Sequence, residues 1–186
     1  MEGAVKITVL GRGNVGGGLA RRWEAAGHDV TALGRDGGDA TGSDVLVVAV
    51  SSSAIEDAFD GVRGAEGIPA IDATNTYGGR QEGFESLAHE VKARTNGPVT
   101  KAFNTTFAVT YDEVDNQSAR PGQLYCGDEE ARGPTEQLIR DAGFEPVRAG
   151  GLENARALED FLGPLMGIAQ SLGGPFFYRF ARPGQL

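Results

Sequence analysis

The sequence predicts an α/β protein built on a doubly wound parallel sheet, and three observations lead there. The apolar runs are short, rich in β-branched residues and separated by helix-like stretches. One of them, "DVLVVAV" (Asp44–Val50), is continuously apolar rather than alternating, as a parallel strand covered on both faces requires. The stretch "LGRGNVGGG" (10–18) places Gly11, Gly13 and Gly16 at G-x-G-x-x-G spacing after one such run and at the opening of a helix-like one. Steady strand–helix alternation over residues 1–150 defines a Rossmann-like nucleotide-binding domain.

In chain order, "VKITVL" (Val5–Leu10) is the first buried strand and Val15–Ala26 the first helix, ended by Gly27. "DVTAL" (Asp29–Leu33) is the second strand. Only "GRDGGDATGS" (34–43) separates it from "DVLVVAV", too little and too glycine-rich for the helix and strand of a full half-fold. The second crossover is therefore trimmed, leaving the adenosine end open. "PAIDAT" (Pro69–Thr74), a helix near Gly83–Arg94, "PVTKAF" (Pro98–Phe103), "QLYCG" (Gln123–Gly127), a helix near Glu129–Ala142 and "FEPVRAG" (Phe144–Gly150) complete the sheet. Residues 151–186 form a C-terminal helical segment in which Phe161, Leu165, Ile168 and Leu172 make a stripe at helical spacing, with Pro164 starting a new helix or kinking the first. Two readings of that stripe stand side by side: packing on the chain's own sheet, or a dimer interface.

The 186 residues carry a formal net charge of -9, which argues against nucleic acid and anionic membrane surfaces as partners. No apolar run is long enough to span a bilayer, and Glu2 stands where a signal peptide needs basic residues, so a soluble cytoplasmic protein is expected. Cys126 is the single cysteine; its setting, "LYCGD", suits a buried strand end better than a nucleophile. No metal-ligand cluster is apparent.

The glycine loop assigns a task to each position. Gly11 permits the turn, Gly13 leaves room for a pyrophosphate, and Gly16 lets the helix pack close. Arg12, Asn14 and Val15 complete the loop, with N–H groups at the helix start facing phosphates. Beyond the second strand comes "GRD" (34–36). Arg35 offers a permanently charged planar fork suited to a 2′-phosphate, favouring NADP, while Asp36 could serve a ribose hydroxyl instead. At the next strand end, Val50, Ser51 and Ser52 contact the pyrophosphate or nicotinamide ribose, or a serine caps the following helix. Asn75 either hydrogen-bonds the nicotinamide end or forms an Asx turn. Lys101 and Asn104, beside Phe103, suggest a small polar pocket with a stacking surface. The competing reading sends Lys101 to solvent and Phe103 into the core.

"GRGNVGGGLARRWEAAGHDV", then "IDATN" (71–75), "KAFNT" (101–105), "LYCGD" (124–128) and "GFEPVRAGGLENARALE" (143–159), resemble the F420-dependent NADP oxidoreductase family, whose pattern the oxidoreductase domain of the STEAP metalloreductases shares. The resemblance spans nearly the whole chain. It implies a homodimeric Rossmann enzyme that moves hydride between NADP(H) and coenzyme F420 or a flavin (FMN or FAD), with the glycine loop and Arg35 at the NADP site. The position before Arg35 is often serine or threonine in this family; here it is Gly34. Hydride transfer between two heteroaromatic rings needs no strong protein base. That suits a chain whose two histidines, His28 in a turn and His89 on a charged helix, are both expected at the surface. Two other readings are direct reduction of a small imine or ketone, with Lys101 or Tyr77 as proton donor, and a non-enzymatic NADP-binding regulator.

Overall fold

The computed structural model describes residues 3–184. In chain order its elements are β1 (Lys6–Leu10), α1 (Asn14–Ala25), β2 (Asp29–Leu33), β3 (Gly38–Asp39), β4 (Val45–Val48), α2 (Ile55–Asp60), β5 (Val62–Arg63) and β6 (Ala70–Asp72). Then follow α3 (Leu87–Thr95), β7 (Val99–Ala102), β8 (Gly122–Gly127), α4 (Arg132–Asp141), β9 (Glu145–Arg148), α5 (Ala155–Asp160) and α6 (Leu162–Leu172). Seven strands form one sheet in the order β2-β1-β4-β6-β7-β8-β9. The fold is the Rossmann-like α/β class that the alternation predicts.

One expectation needs correction: the sheet is not wholly parallel. β8 runs antiparallel to β7, with Thr100 opposite Gly127 and Ala102 opposite Tyr125. The link between them holds a 3₁₀ segment, Ala108–Asn116, but no α-helix to carry the chain back to the amino edge of the sheet. β8 therefore begins where β7 ends. The trimmed crossover is present as anticipated. Between β2 and β4 only the two-residue β3 forms, and it pairs with β5 in a separate ribbon. β2 is left as an edge strand of the main sheet.

Each face of the sheet has its own core. On one, Ile7, Val9, Val45, Val47 and Ala102 pack with Leu19 and Trp23 of α1 and Leu138 and Ile139 of α4. On the other, Leu46, Val48, Ala70 and Val99 pack with Ile55, Leu87, Val91 and Leu158 from α2, α3 and α5. The period-2 alternation of each strand divides its side chains between the two cores. His28 is buried rather than exposed. Its Nδ1 accepts the Val5 N–H at 3.0 Å and its Nε2 lies 3.0 Å from Asp141 Oδ2, so the turn before β2 is tied to α4. His89 is half-buried on α3, its Nδ1 2.7 Å from Ser86 Oγ.

The second core contains a charged cluster. Lys101 is fully buried and its Nζ donates to Asp72 Oδ2 at 2.7 Å and to the Thr74 carbonyl at 2.7 Å, with Glu159 Oε1 at 3.3 Å. Glu159, also fully buried, accepts the Leu87 N–H at 2.8 Å and Arg80 Nε at 2.7 Å. This network ties β6, β7, α3 and α5 together. α6 is held less closely: Leu165 is buried, but Met166, Ile168 and Leu172 of the same helix are exposed. Among the described residues, no helix is long and apolar enough to cross a membrane.

Removing the cation from this cluster leaves two buried carboxylates without their shared partner. Lys101→Met should lower unfolding stability by about 3–5 kcal/mol, read as a shift of the urea midpoint. Arg156→Ala, which breaks only an exposed 3.6 Å pair with Asp160 on α5, should cost less than about 1 kcal/mol.

Candidate nucleotide-binding site

A cavity of about 750 Å³ opens at the carboxyl ends of β1, β2 and β4. Strand order diverges at β1, with β2 on one side and β4 on the other, so the cavity occupies the topological switch point where α/β sheets bind ligands. Its floor is the glycine loop, its walls are Gly34 and Arg35 beyond β2 and Val50, Ser51 and Ser53 beyond β4, and Asp57 and Gly61 close it from α2 and the turn after it. The volume suits a small-molecule ligand, for which sites run roughly 300–1,000 Å³.

The loop geometry follows from close approach. Gly11 has φ +107°, and a Cβ there would stand 2.3 Å from the Ala49 carbonyl oxygen. A Cβ on Gly16 would stand 2.0 Å from the Gly11 carbonyl oxygen, so α1 can press on the loop only with glycine at that position. Gly13 differs: nothing lies within 4 Å of where its Cβ would be, and it lines the cavity. α1 starts immediately after it, with no side chain capping its N-terminus and no acidic residue in its first turn. The first-turn N–H groups and the positive end of the helix dipole are thus left without a side-chain acceptor. A bare loop, an uncapped helix start and a guanidinium on the far wall fit a dinucleotide with a phosphorylated ribose.

Of the residues singled out from the sequence, Gly11, Arg12, Gly13, Arg35, Val50 and Ser51 line this cavity. Gly16 lies buried beneath it, while Asn14 and Val15 lie in the first turn of α1. Ser52 is a correction. It is buried, and its Oγ accepts the Gly78 N–H at 3.1 Å, so it braces the turn after β6 instead of facing ligand space.

Asn75, Lys101 and Asn104 are brought together, but away from the open cavity. Lys101 neither reaches solvent nor lines a pocket, because its ammonium is consumed by the buried cluster. Phe103 offers no stacking surface: it is buried against Trp23, ring centroids 5.8 Å apart and edge to face. Asn75 Nδ2 donates to the Asn104 carbonyl at 2.9 Å, and Asn104 Nδ2 donates to the Leu158 carbonyl at 2.9 Å. Asn104 Oδ1 is buried and has no hydrogen-bond partner among the described residues. Phe103 carries φ +64°, a left-handed conformation costly for a bulky residue, on the order of 1–3 kcal/mol. The turn it makes aims Asn104 at α5, and its burial against Trp23 supplies what holds it there.

Cys126 is fully buried in β8, and burial pushes its thiol up to about 12, which removes it as a nucleophile. No group of three or more His, Cys, Asp or Glu residues able to hold a metal occurs among the described residues. Sequence reasoning missed the contribution of α2, where Asp57 and Ala58 line the cavity; no spacing signal marks them.

Solved structures match this fold over most of its length. The crystal structure of a putative F420-dependent NADP-reductase from Arthrobacter sp. FB24 aligns with a TM-score of 0.80 at 20% identity, covering 96% of this chain and 100% of that one. A hypothetical protein from Sinorhizobium meliloti aligns with a TM-score of 0.65 at 24% identity, over 80% of this chain and 86% of that one. A reductive aminase from Aspergillus terreus, solved with NADPH and ethyl levulinate, aligns with a TM-score of 0.63 at 17% identity, over 92% of this chain but 63% of that one. No protein-family model matches the chain, and no curated protein sequence matches it. At these identities the likeness is one of fold. It agrees with the family resemblance carried by the sequence motifs.

Gly13 and Gly16 of the loop separate binding from folding. Gly13→Ala has open space for its Cβ and should change stability by less than about 1 kcal/mol. Gly16→Ala collides with backbone and should destabilise by about 1–3 kcal/mol. Isothermal titration with NADPH should show that the folded Gly13→Ala chain has lost at least about tenfold in affinity, the scale of one charge-assisted hydrogen bond.

Proposed function

We propose that this chain is an NADP(H)-dependent oxidoreductase that transfers hydride between NADP(H) and coenzyme F420 or a flavin. One observation carries the reading: the glycine loop and Arg35 face each other across a single cavity at the switch point of the sheet. In it the loop and the start of α1 hold the pyrophosphate, and Arg35 holds the 2′-phosphate. Ser51 and Ser53 line the same cavity beyond β4, where they would contact the remainder of the ligand. Asn75 and Asn104 stand at the next strand ends, where Asn104 Oδ1 is a buried acceptor without a partner among the described residues.

Bound NADPH supplies the hydride itself, so the protein's tasks are orientation and exclusion of water. Residues with proton-transfer chemistry are placed accordingly. Lys101 is locked in its ion cluster, and His28 sits at the amino end of β2, on the edge of the sheet opposite the cavity. The likeness to an NADPH-bound reductive aminase favours a second reading, direct reduction of a small imine or ketone. In that case exposed Tyr77, next to the turn braced by Ser52, is the available donor. A homodimer is part of the proposal, with the exposed apolar residues of α6 as its contact. Sedimentation velocity should then show a dimer that Ile168→Asp converts to monomer.

Stopped-flow measurement of reduced-nicotinamide absorbance tests the function, with F420, FMN and FAD offered in turn. Oxidation of NADPH upon adding one of them is the expected result. Oxidation only with an imine or ketone would establish the second reading, and tight NADPH binding without any turnover would point to a regulator. Arg35→Ala should raise the Kd for NADPH by roughly 10- to 100-fold, as loss of a charged hydrogen-bonding partner does, and leave that for NADH nearly unchanged.

A further inference from the structure

We propose that Tyr77 covers the nicotinamide: its ring stacks on the pyridine face from a turn pressed against the β4 wall of the cavity, and its hydroxyl takes no part. This rests on the NADP(H) reading above and adds a ligand-contacting residue from outside the cavity that carries that reading.

None of the described residues after Val62 lines the cavity, whose walls come from the ends of β1, β2 and β4 and from α2 and its following turn. A dinucleotide held by the glycine loop and Arg35 runs on past Ser51 and Ser53 toward the side of β6, where the cavity has no wall of its own. Hydride transfer needs that end held in one orientation and shielded from water. The turn after β6 stands beside it. Thr76–Gly78 form a single 3₁₀ turn, closed by the Gly79 N–H on the Thr76 carbonyl at 2.9 Å. Gly78 abuts the residues that follow β4: a Cβ there would lie 2.8 Å from Ser52 Oγ, 3.1 Å from Ser53 N and 3.2 Å from Ser53 Cβ. Glycine lets the turn sit this close, and Tyr77 immediately precedes it.

Tyr77 is 75% exposed, more than any other large apolar side chain among the described residues, and it makes no hydrogen bond or ring contact among them. Isolated surface aromatics are ordinary; the mounting of this one is not. The turn is fixed on both sides of it. Gly78 N–H donates to Ser52 Oγ at 3.1 Å, and Arg80 Nε reaches the fully buried Glu159 at 2.7 Å while its Nη2 bonds Asp160. A tightly held backbone thus carries a ring that touches nothing. Rotation of the side chain on a fixed turn is the motion the proposal requires, and a tyrosine has only two torsions to freeze. Its flat apolar face suits an offset stack on a planar heteroaromatic ring, and the oxidised pyridinium, a cation, gains further from a π face.

Calorimetric titration with NADPH, NADP+ and adenosine 2′,5′-bisphosphate, which lacks the nicotinamide, tests this. Tyr77→Ala should weaken NADPH and NADP+ roughly 3- to 10-fold, the scale of one aromatic stack, and the bisphosphate less than about twofold. Tyr77→Phe should bind all three as the parent does. Tyr77→Trp adds an exposed indole to a chain whose one tryptophan, Trp23, is fully buried. Acrylamide should quench that indole freely without ligand and with the bisphosphate, and much less with NADP+. Equal losses for all three ligands in Tyr77→Ala would make the residue a support of the cavity wall and overturn the proposal. A loss in Tyr77→Phe equal to that in Tyr77→Ala would assign the effect to the hydroxyl and overturn it too. So would full affinity in Tyr77→Ala with quenching of Tyr77→Trp unchanged by NADP+. The NADP(H) reading survives all three, because the parent binds. A parent chain that fails to bind NADPH would instead remove that reading together with this one.

Discussion

The buried ion cluster around Lys101 is the constraint on which the carboxyl edge of the sheet depends. A fully buried ammonium is tolerable only with its counter-charges fixed in place. Here they come from neighbouring β6 (Asp72) and from α5 (Glu159), which closes one face. Each carboxylate is held in turn: Asp72 Oδ1 accepts from the Thr74 N–H at 2.9 Å and the Thr74 hydroxyl at 2.6 Å, while Glu159 takes the Leu87 N–H and Arg80. The ends of β6 and β7, where Asn75 and Asn104 stand, therefore cannot shift relative to α5 without breaking several charged bonds. That rigidity, together with the burial of Phe103 against Trp23, sustains the left-handed Phe103 and the buried Asn104 Oδ1, unpartnered among the described residues. Neither would persist on a loop free to relax.

The other half of the edge is built oppositely. At β1, β2 and β4 the cavity is lined by a bare glycine loop, a helix start that no side chain caps and, among the described residues, arginines without carboxylate partners. A preorganised, unsatisfied half beside a satisfied, rigid half is the arrangement expected of a site that grips one end of a long cofactor and positions the other.

Much of this was legible in sequence. β2 falls on the expected residues, and the glycine loop, the short crossover and Arg35 follow from local chemistry: turn residues, apolar continuity and spacing. What was not legible depended on partners remote in the chain. Nothing near Lys101 announces that Asp72 and Glu159 will neutralise it, so a lysine at a strand end looked like a pocket residue. His28 looked exposed because the turn before β2 does not reveal that α4 brings Asp141 across it. The reversal of β8 was hidden because a strand's composition does not encode its direction; only the lack of a helix in the preceding link does.

The overall charge adds a last constraint. A chain of net charge -9 repels a polyanionic ligand such as the proposed NADP(H) at long range, so its field does nothing to gather one. Salt screens that repulsion beyond about 8 Å at physiological ionic strength. Recognition must therefore be made at contact, by groups whose positive charge is not already consumed. Most of the arginines on the rest of the described surface are engaged by carboxylates: Arg63 with Asp39, Arg94 with Glu56, Arg148 with Glu129. The cavity keeps its arginines out of such pairs and keeps acids out of the first turn of α1. In so acidic a chain, two arginines on one cavity that are not engaged by carboxylates suit a phosphate ligand.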